Sequence, residues 1–131
     1  MEIDGGLRKL FKDNVLRAQW TPIETGMVAQ GVPDSEYCLE GGFQGWIEFK
    51  QCGANKIKIR PMQVQWIERR VRMGGRVWIG VRRKEELFLY NGGAVRALFD
   101  VGLKGASPRG SWSGGPARWD WSAVRKILAD G

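Results

Sequence analysis

The chain has 131 residues, 43% of them hydrophobic, so its length and composition suit one domain with a single packed core. It contains no histidine and only two cysteines, which excludes histidine-based acid–base catalysis, Ser-His-Asp triads, zinc sites with histidine ligands and a four-cysteine zinc site within one chain. The formal net charge of +7 leaves two interpretations open: an anionic partner such as nucleic acid, or a charge that serves only solubility.

The expected environment is intracellular and cytoplasmic. No apolar run approaches the roughly 20 residues of a membrane-spanning helix, so we expect no membrane among the partners. The N-terminus lacks the apolar segment of a signal peptide. Cys38 and Cys52 are not spaced as a disulfide framework, so both thiols are expected to be reduced.

The N-terminal pattern predicts a helix over residues 7–18, because apolar residues such as Leu7 and Phe11 recur at helical spacing. A break is predicted after Trp20, since Pro22 follows it closely. The basic residues of this segment lie outside the apolar stripe: Arg8, Lys9, Lys12 and Arg17.

A hairpin is predicted next. Residues 35–40 and 43–51 form its two strands, with Gly41 and Gly42 in the turn. Residues 52–60 follow as a basic connector, in which lysine and arginine alternate with isoleucine toward the end.

The connector is followed by a predicted helix over residues 61–73, since Pro61 suits the first helical position and Gly74 suits the end. Residues 76–83 are then predicted to form a strand, and residues 86–90 a further one.

The last part of the chain is predicted to hold a short helix within residues 91–100 and a final helix over residues 121–129. Residues 102–118 are rich in Gly, Ser, Pro and Arg and are predicted to be a loop.

The order of these elements is typical of the α/β class, with a central mixed sheet flanked by helices. The sheet is mixed because the hairpin is antiparallel, whereas a crossover through a helix favours parallel pairing. We expect a single domain over residues 1–131, with its core at about residues 20–90 and a C-terminal extension over residues 91–131.

Charges of opposite sign occupy two successive segments. Residues 24–48 contain five acids and no lysine or arginine, whereas residues 50–84 contain eleven basic residues and one acid, Glu68. An acidic cluster is tolerated beside a cation, and basic residues attract a phosphate backbone. The alternative is that both segments are ordinary solvated faces. The basic candidates for contact with nucleic acid are Lys56, Lys58, Arg60, Arg69 and Arg70.

The predicted hairpin brings three charged residues toward one edge. Side chains alternate along a strand, so Glu48 and Lys50 share one face, and Ile47 and Phe49 take the other. Asp34 follows a Gly-Val-Pro turn, and the hairpin can bring its carboxylate to the same edge. Asp34 and Glu48 could hold one divalent metal ion with Lys50 beside it, a set suited to cutting a nucleic-acid backbone.

Gln63 is a polar residue on the apolar stripe of the predicted helix, among Trp66, Ile67 and Val71. A polar side chain on such a face needs a partner, and a site at the end of the sheet supplies one.

Together these motifs resemble the PD-(D/E)XK nuclease superfamily, and more closely its virus-type replication-repair (VRR-NUC) nucleases and the phage Holliday-junction resolvase-like endonucleases. The matching run comprises Gly-Val-Pro-Asp at 31–34, Gly-Trp-Ile-Glu-Phe-Lys at 45–50, Asn-Lys-Ile-Lys at 55–58 and Pro-Met-Gln at 61–63, followed by Trp66 and Gly74. The resemblance covers about residues 20–83.

The resemblance implies a restriction-endonuclease-like core. It also implies an endonuclease that acts on DNA and depends on Mg²⁺, for which Mn²⁺ substitutes. Asp34, Glu48 and the backbone carbonyl of Phe49 would bind the metal. Lys50 would orient or activate the attacking water, and Gln63 would support the site.

Members of the family often carry an additional catalytic acid near the N-terminus, and the resemblance places Glu24 there. The chain departs from the family pattern at Pro22, which stands where an arginine is common.

The chain has seven tryptophans. Those in predicted core elements are expected to pack there: Trp46, Trp66 and Trp78. A second group lies among basic residues near the C-terminus: Trp112, Trp119 and Trp121. These rings either stack on unpaired bases or fold back over one side of the sheet. The second arrangement leaves room for a homodimer, which a junction-cutting enzyme would use on two symmetric strands.

Three functions remain in competition. The first is a DNA endonuclease, structure-selective for junctions or branched DNA, acting in phage or cellular replication, recombination or repair. The second is a nucleic-acid-binding module without catalysis on the same fold, and the third is an RNA-processing or RNA-binding protein. The sequence also leaves the proton acceptor open among Lys50, bulk water and the substrate phosphate.

Overall fold

The computed structural model describes residues 4–24 and 31–130. Six strands form its sheet: β1 (Ala18–Pro22), β2 (Ser35–Leu39), β3 (Phe43–Gln51), β4 (Val77–Arg83), β5 (Glu86–Asn91) and β6 (Gly110–Trp112). The described helices are α1 (Leu7–Asn14), α2 (Pro61–Arg72), α3 (Val95–Asp100) and α4 (Trp121–Ala129). Short 3-10 turns at Gly92–Ala94 and Leu103–Gly105 flank α3.

The order of strands in the sheet follows the chain from β1 to β6, and the sheet is not closed into a barrel. The β3–β4 pair is parallel, and the other four described pairs are antiparallel. Helix α2 makes the crossover between β3 and β4, as a parallel connection requires. The predicted α/β class with a mixed sheet flanked by helices is confirmed, and it is consistent with a restriction-endonuclease-like core.

Alternation along the strands creates one core on each face of the sheet. On one face, Ile47 and Phe49 pack with buried residues of α1 and α4. On the other face, Ile79 and Val81 pack with buried residues of α2 and α3. Glu48 alternates with Ile47 and Phe49 on β3, so its side chain points to the α2 side.

The predicted helix over residues 7–18 is wrong at its C-terminal end, where Ala18–Pro22 forms a strand. Val15 is extended and Arg17 has a φ of 52°, so the chain turns out of the helix here. The new strand pairs with β2 at the edge of the sheet. An edge position tolerates Pro22, because the missing N–H is not needed on the outer side.

The predicted loop over residues 102–118 also contains a strand, since Gly110–Trp112 pairs with Leu87–Leu89 of β5. A strand of three residues is too short to show a period of two. The other predicted strands and the helices over 61–73 and 121–129 are confirmed to within one residue at each end.

The tryptophans near the C-terminus fold back over the sheet. Trp119 is 3% exposed, and Trp112 and Trp121 pack against the same core. The Trp121 ring meets Phe11 of α1 edge-on, at 5.2 Å between centroids. These rings therefore fill the layer between the sheet and the helices α1 and α4.

Both cysteines carry free thiols. Within the described ranges, no helix has the length and apolar character that crossing a membrane would need.

Candidate functional site

The carboxylates of Asp34 and Glu48 meet where the β2–β3 ladder ends. The last pair of that ladder is Ser35 with Ile47, so Asp34 lies opposite Glu48 one residue further along. The Asp34 N–H donates to Glu48 Oε1 at 3.1 Å, and the Phe49 N–H donates to Asp34 Oδ2 at 2.8 Å. The two side chains thus continue the strand pairing beyond the ladder, which fixes both carboxylates in position.

Gln63 connects this pair to helix α2. Its Nε2 donates to Glu48 Oε2 at 2.9 Å, and its Oε1 accepts from the Arg60 N–H at 3.0 Å. The second bond satisfies a backbone donor that has no partner within the helix. One buried amide therefore caps α2 and holds Glu48.

Lys50 completes the cluster. Its Nζ lies 3.0 Å from Glu48 Oε2 and 3.2 Å from Gln63 Oε1. The Lys50 side chain is only 16% exposed, so this ion pair is screened less by solvent than a surface pair would be. The predicted site residues that the structure brings together are Asp34, Glu48, Lys50 and Gln63.

Burial raises the pKa of both carboxyls, and the charge of Asp34 adds to the rise at Glu48. Glu48 is 3% exposed, and burial, followed by the charge of Asp34, raises its pKa to about 7, although Lys50 opposes the shift. Burial also raises the pKa of Asp34, while the Phe49 N–H and the charge of Lys50 oppose that rise. Two carboxyls that repel each other favour a proton or a metal cation between them.

The donor set fits a hard divalent cation. Within the described part of the chain, Asp34 Oδ1 accepts no hydrogen bond, so one carboxylate oxygen is available as a ligand. In that part of the chain, no cluster of three or more His, Cys, Asp and Glu side chains is arranged to hold a metal ion, so the candidate side-chain ligands here are a pair of carboxylates. Mg²⁺ accepts one or two carboxylates and completes its octahedron with water and phosphate oxygens, which suits a pair of carboxylates.

Two further predicted site residues lie around this cluster. Phe49 is on β3 between Glu48 and Lys50, with its side chain buried in the core under α1 and α4. Glu24 is exposed and lines a groove beside α1. Among the described residues, Glu24 does not form a three-carboxylate metal group with Asp34 and Glu48.

Three of the predicted nucleic-acid-binding residues lie on the connector between β3 and α2. Lys56 and Lys58 are exposed, and Lys56 Nζ donates to the Asp100 carbonyl at 3.1 Å. Arg60 is exposed at the start of α2, where its backbone N–H contacts Gln63. The connector therefore carries positive charge up to the edge of the cluster.

The other two predicted nucleic-acid-binding residues are on α2. Arg69 is exposed. Arg70 lies over two aromatic rings, with its guanidinium carbon 5.2 Å from the Trp46 centroid and 4.5 Å from the Trp66 centroid. Arg70 therefore has a packing role on this face of the molecule.

A groove of about 500 Å³ between α1 and β1 was not predicted from the sequence. Helix α1 lines it with Arg8, Lys9 and Lys12. Ser35, which follows Asp34 directly in the chain, also lines it. The spacing of the basic residues on α1 was visible in the sequence, but the position of α1 relative to the site was not.

No protein-family model matches the chain, and no match to a curated protein reaches significance. The PD-(D/E)XK resemblance therefore stays a prediction that rests on the residues at 31–34, 45–50, 55–58 and 61–63.

Proposed function

We propose that the protein is a metal-dependent DNA endonuclease of the PD-(D/E)XK type, which hydrolyses phosphodiester bonds. One observation carries the proposal: two carboxylates, a lysine and a glutamine form a single hydrogen-bonded cluster at the end of two neighbouring strands. Its members are Asp34, Glu48, Lys50 and Gln63. This set supplies metal ligands and a positive charge at one place, which metal-assisted hydrolysis needs.

The metal ligands would be Asp34, Glu48 and the backbone carbonyl of Phe49, and the ion would be Mg²⁺ or Mn²⁺. When bound, the ion polarises the scissile phosphate and lowers the pKa of the attacking water. The repulsion that raises the pKa of Glu48 favours such a cation, because a positive charge between the carboxylates relieves it.

Lys50 would orient the attacking water and oppose the negative charge that develops on the phosphate. Its ammonium group is already held at the cluster by Glu48 and Gln63, so little rearrangement is required. Gln63 acts through these two residues and is a positioning residue.

The proposed substrate is DNA, with junction or branched DNA as the preferred form. The net charge of +7 and the basic connector with Lys56, Lys58 and Arg60 support an anionic polymer as substrate. A homodimer would present two sites to the two symmetric strands of a junction. We place the activity in the cytoplasm, in replication, recombination or repair.

The proposal is tested by cleavage of labelled duplex, single-stranded and four-way-junction DNA and of a matched RNA, in Mg²⁺, Mn²⁺ or EDTA. We expect the wild-type protein to cut DNA only with metal. The Asp34→Asn variant should cut at least about 100-fold more slowly, because a metal ligand worth several kcal/mol to the transition state is weakened. DNA binding should be retained in this variant.

The matched control is Glu40→Gln, which removes an equal charge from an exposed carboxylate that pairs with Arg17 at 3.7 Å. This control should cut at the wild-type rate. Salt-sensitive DNA binding with no cutting of any substrate would contradict the nuclease proposal and favour a binding module on the same fold. Cutting of the RNA alone would reject DNA as the substrate.

A further inference from the structure

The groove between α1 and β1 carries two cationic side chains that form no hydrogen bond or ion pair within the described residues. Arg8 and Lys12 are exposed, and their side chains form no hydrogen bond or ion pair with any described residue. Lys9 differs from them, because its Nζ pairs with Asp13 Oδ2. Arg8 and Lys12 are therefore the cations that this groove can offer to a ligand.

The two cations are arranged to contact successive anionic groups. Arg8 and Lys12 are four residues apart on α1, so their side chains lie on one face of the helix, separated by about 6 Å of helical rise. Exposed basic residues in a row along a helix suit a polyanion better than a single small anion.

The β1 side of the groove is lined partly by apolar rings. Trp20 and Pro22 of β1 line it, and the Trp20 ring is fixed by contacts with Phe11 and Tyr37, at 6.2 Å and 5.5 Å between centroids. An aromatic ring held beside cations is the combination that binds single-stranded nucleic acid, since bases stack while phosphates pair.

The groove includes Ser35, the residue next to Asp34 in the chain. Glu24 is the one unpaired acid of the described lining, and it lies on the β1 side of the groove.

We propose that the groove between α1 and β1 binds a single-stranded segment of nucleic acid, with backbone phosphates on Arg8 and Lys12 and a base against Trp20. The bound segment leads into the Asp34–Glu48 site; this last step rests on the nuclease function proposed above. The groove selects substrates with an unpaired strand over plain duplex.

The test is equilibrium binding, by fluorescence anisotropy, of a labelled 20-nucleotide single strand and its duplex in EDTA, where no metal-dependent cutting occurs. We expect the Arg8→Ala/Lys12→Ala variant to bind the single strand at least about tenfold more weakly at low salt. Its plot of log affinity against log salt concentration should be less steep by about 1.4, since each lost phosphate contact removes about 0.7.

The matched control is Arg72→Ala/Lys126→Ala, which removes one exposed arginine and one exposed lysine from helices α2 and α4. It should keep the wild-type salt slope. An equal loss in the control, or an unchanged slope in the groove variant, would overturn the proposal. An equal loss for duplex and single strand would reject the preference for an unpaired strand.

A second measurement separates this inference from the nuclease proposal. In single-turnover cleavage, the groove variant should need at least about tenfold more protein for half-saturation and reach the wild-type rate at saturation. If the wild-type protein cuts no substrate and the groove variant binds the single strand more weakly, the nuclease proposal is rejected and the groove proposal stands. If the groove variant cuts as efficiently as the wild-type protein at every protein concentration, the groove proposal is rejected and the nuclease proposal stands.

Discussion

Glu48 is a nearly buried carboxylate, and the donors around it explain how the fold tolerates it. The Asp34 N–H, the Gln63 side-chain amide and the Lys50 ammonium group all reach its two oxygens. A buried carboxylate without such donors would cost several kcal/mol. The donors do not remove the whole cost, which remains visible in the pKa of about 7.

The raised pKa predicts how stability depends on pH. In the unfolded chain the pKa of Glu48 is near its ordinary value of 4.5, so between that pH and about 7 the folded state holds a proton that the unfolded state lacks. The free energy of unfolding should therefore fall as pH rises through this window. Across this window, the free energy of unfolding of the Glu48→Gln variant should fall by less than that of the wild-type protein, with a difference on the order of 1 kcal/mol or more.

Urea denaturation at several pH values between 4.5 and 8, without divalent metal, measures this dependence. Some slope should remain in Glu48→Gln, because burial also raises the pKa of Asp34. The exposed Glu40→Gln variant should keep the full slope. A Glu48→Gln slope identical to that of the wild-type protein would show that Glu48 titrates normally.

At the scale of the elements, the site depends on how closely the turn before β2 approaches the start of α2. Gly31 has a φ of 87°, and a Cβ atom there would lie 2.5 Å from the backbone carbonyl oxygen of Met62. Backbone cannot move away as a flexible side chain could. Gly31 therefore permits the contact that places Asp34 next to the helix carrying Gln63.

The Gly31→Ala substitution should push this turn away from α2 and displace Asp34 without removing any group of the cluster. We expect a loss of about 1–3 kcal/mol in the free energy of unfolding, and at least about tenfold slower single-turnover cleavage. Chemical denaturation and the cleavage assay measure the two effects separately.

Gly42→Ala is the control for this prediction. Gly42 has nearly the same φ, 88°, but a Cβ atom there would meet nothing within 4 Å. This variant should lose only the free energy of unfolding that a non-glycine residue costs at a positive φ, and it should cut at the wild-type rate. Equal effects of the two substitutions on cleavage would contradict the positioning role of Gly31.

At the scale of the whole molecule, the mixed sheet separates two faces with different roles. The face under α1 and α4 is filled with aromatic and aliphatic side chains. The face under α2 and α3 has a second core, and the charged cluster lies at the end of β3 on this side, between the sheet and α2. The basic connector leads from β3 to α2 on this side, and the groove lies beside α1 on the other face.

Much of the cluster could be predicted because its geometry follows from local rules. Alternation along β3 put Glu48 and Lys50 on one face, and the hairpin register put Asp34 opposite Glu48. Gln63 was detectable as a polar residue on an apolar helical stripe, and in the structure it is buried and bonded to Glu48. In each of these cases the informative residues lie within one element or in two that are joined by a tight turn.

The features that were missed depend on contacts between distant elements. The edge strand Ala18–Pro22 has no clear period and contains a proline, and it is a strand because β2 offers it a partner. The groove beside α1 exists because Phe11 and its neighbours dock α1 over β3, which no local pattern in the sequence encodes. The basic residues of the groove can be read from the sequence, but their common position beside β1 cannot.

The central claim is that Asp34 and Glu48 form a metal-dependent cutting site, and single-turnover cleavage by wild-type and Glu48→Gln protein tests it most directly. Both proteins would be held at saturation on a labelled DNA junction with Mg²⁺ or EDTA, after binding is matched in EDTA. We predict metal-dependent cutting by the wild-type protein and at least about 100-fold slower cutting by the variant. Equal rates for the two proteins, or wild-type cutting that persists in EDTA, would contradict the claim.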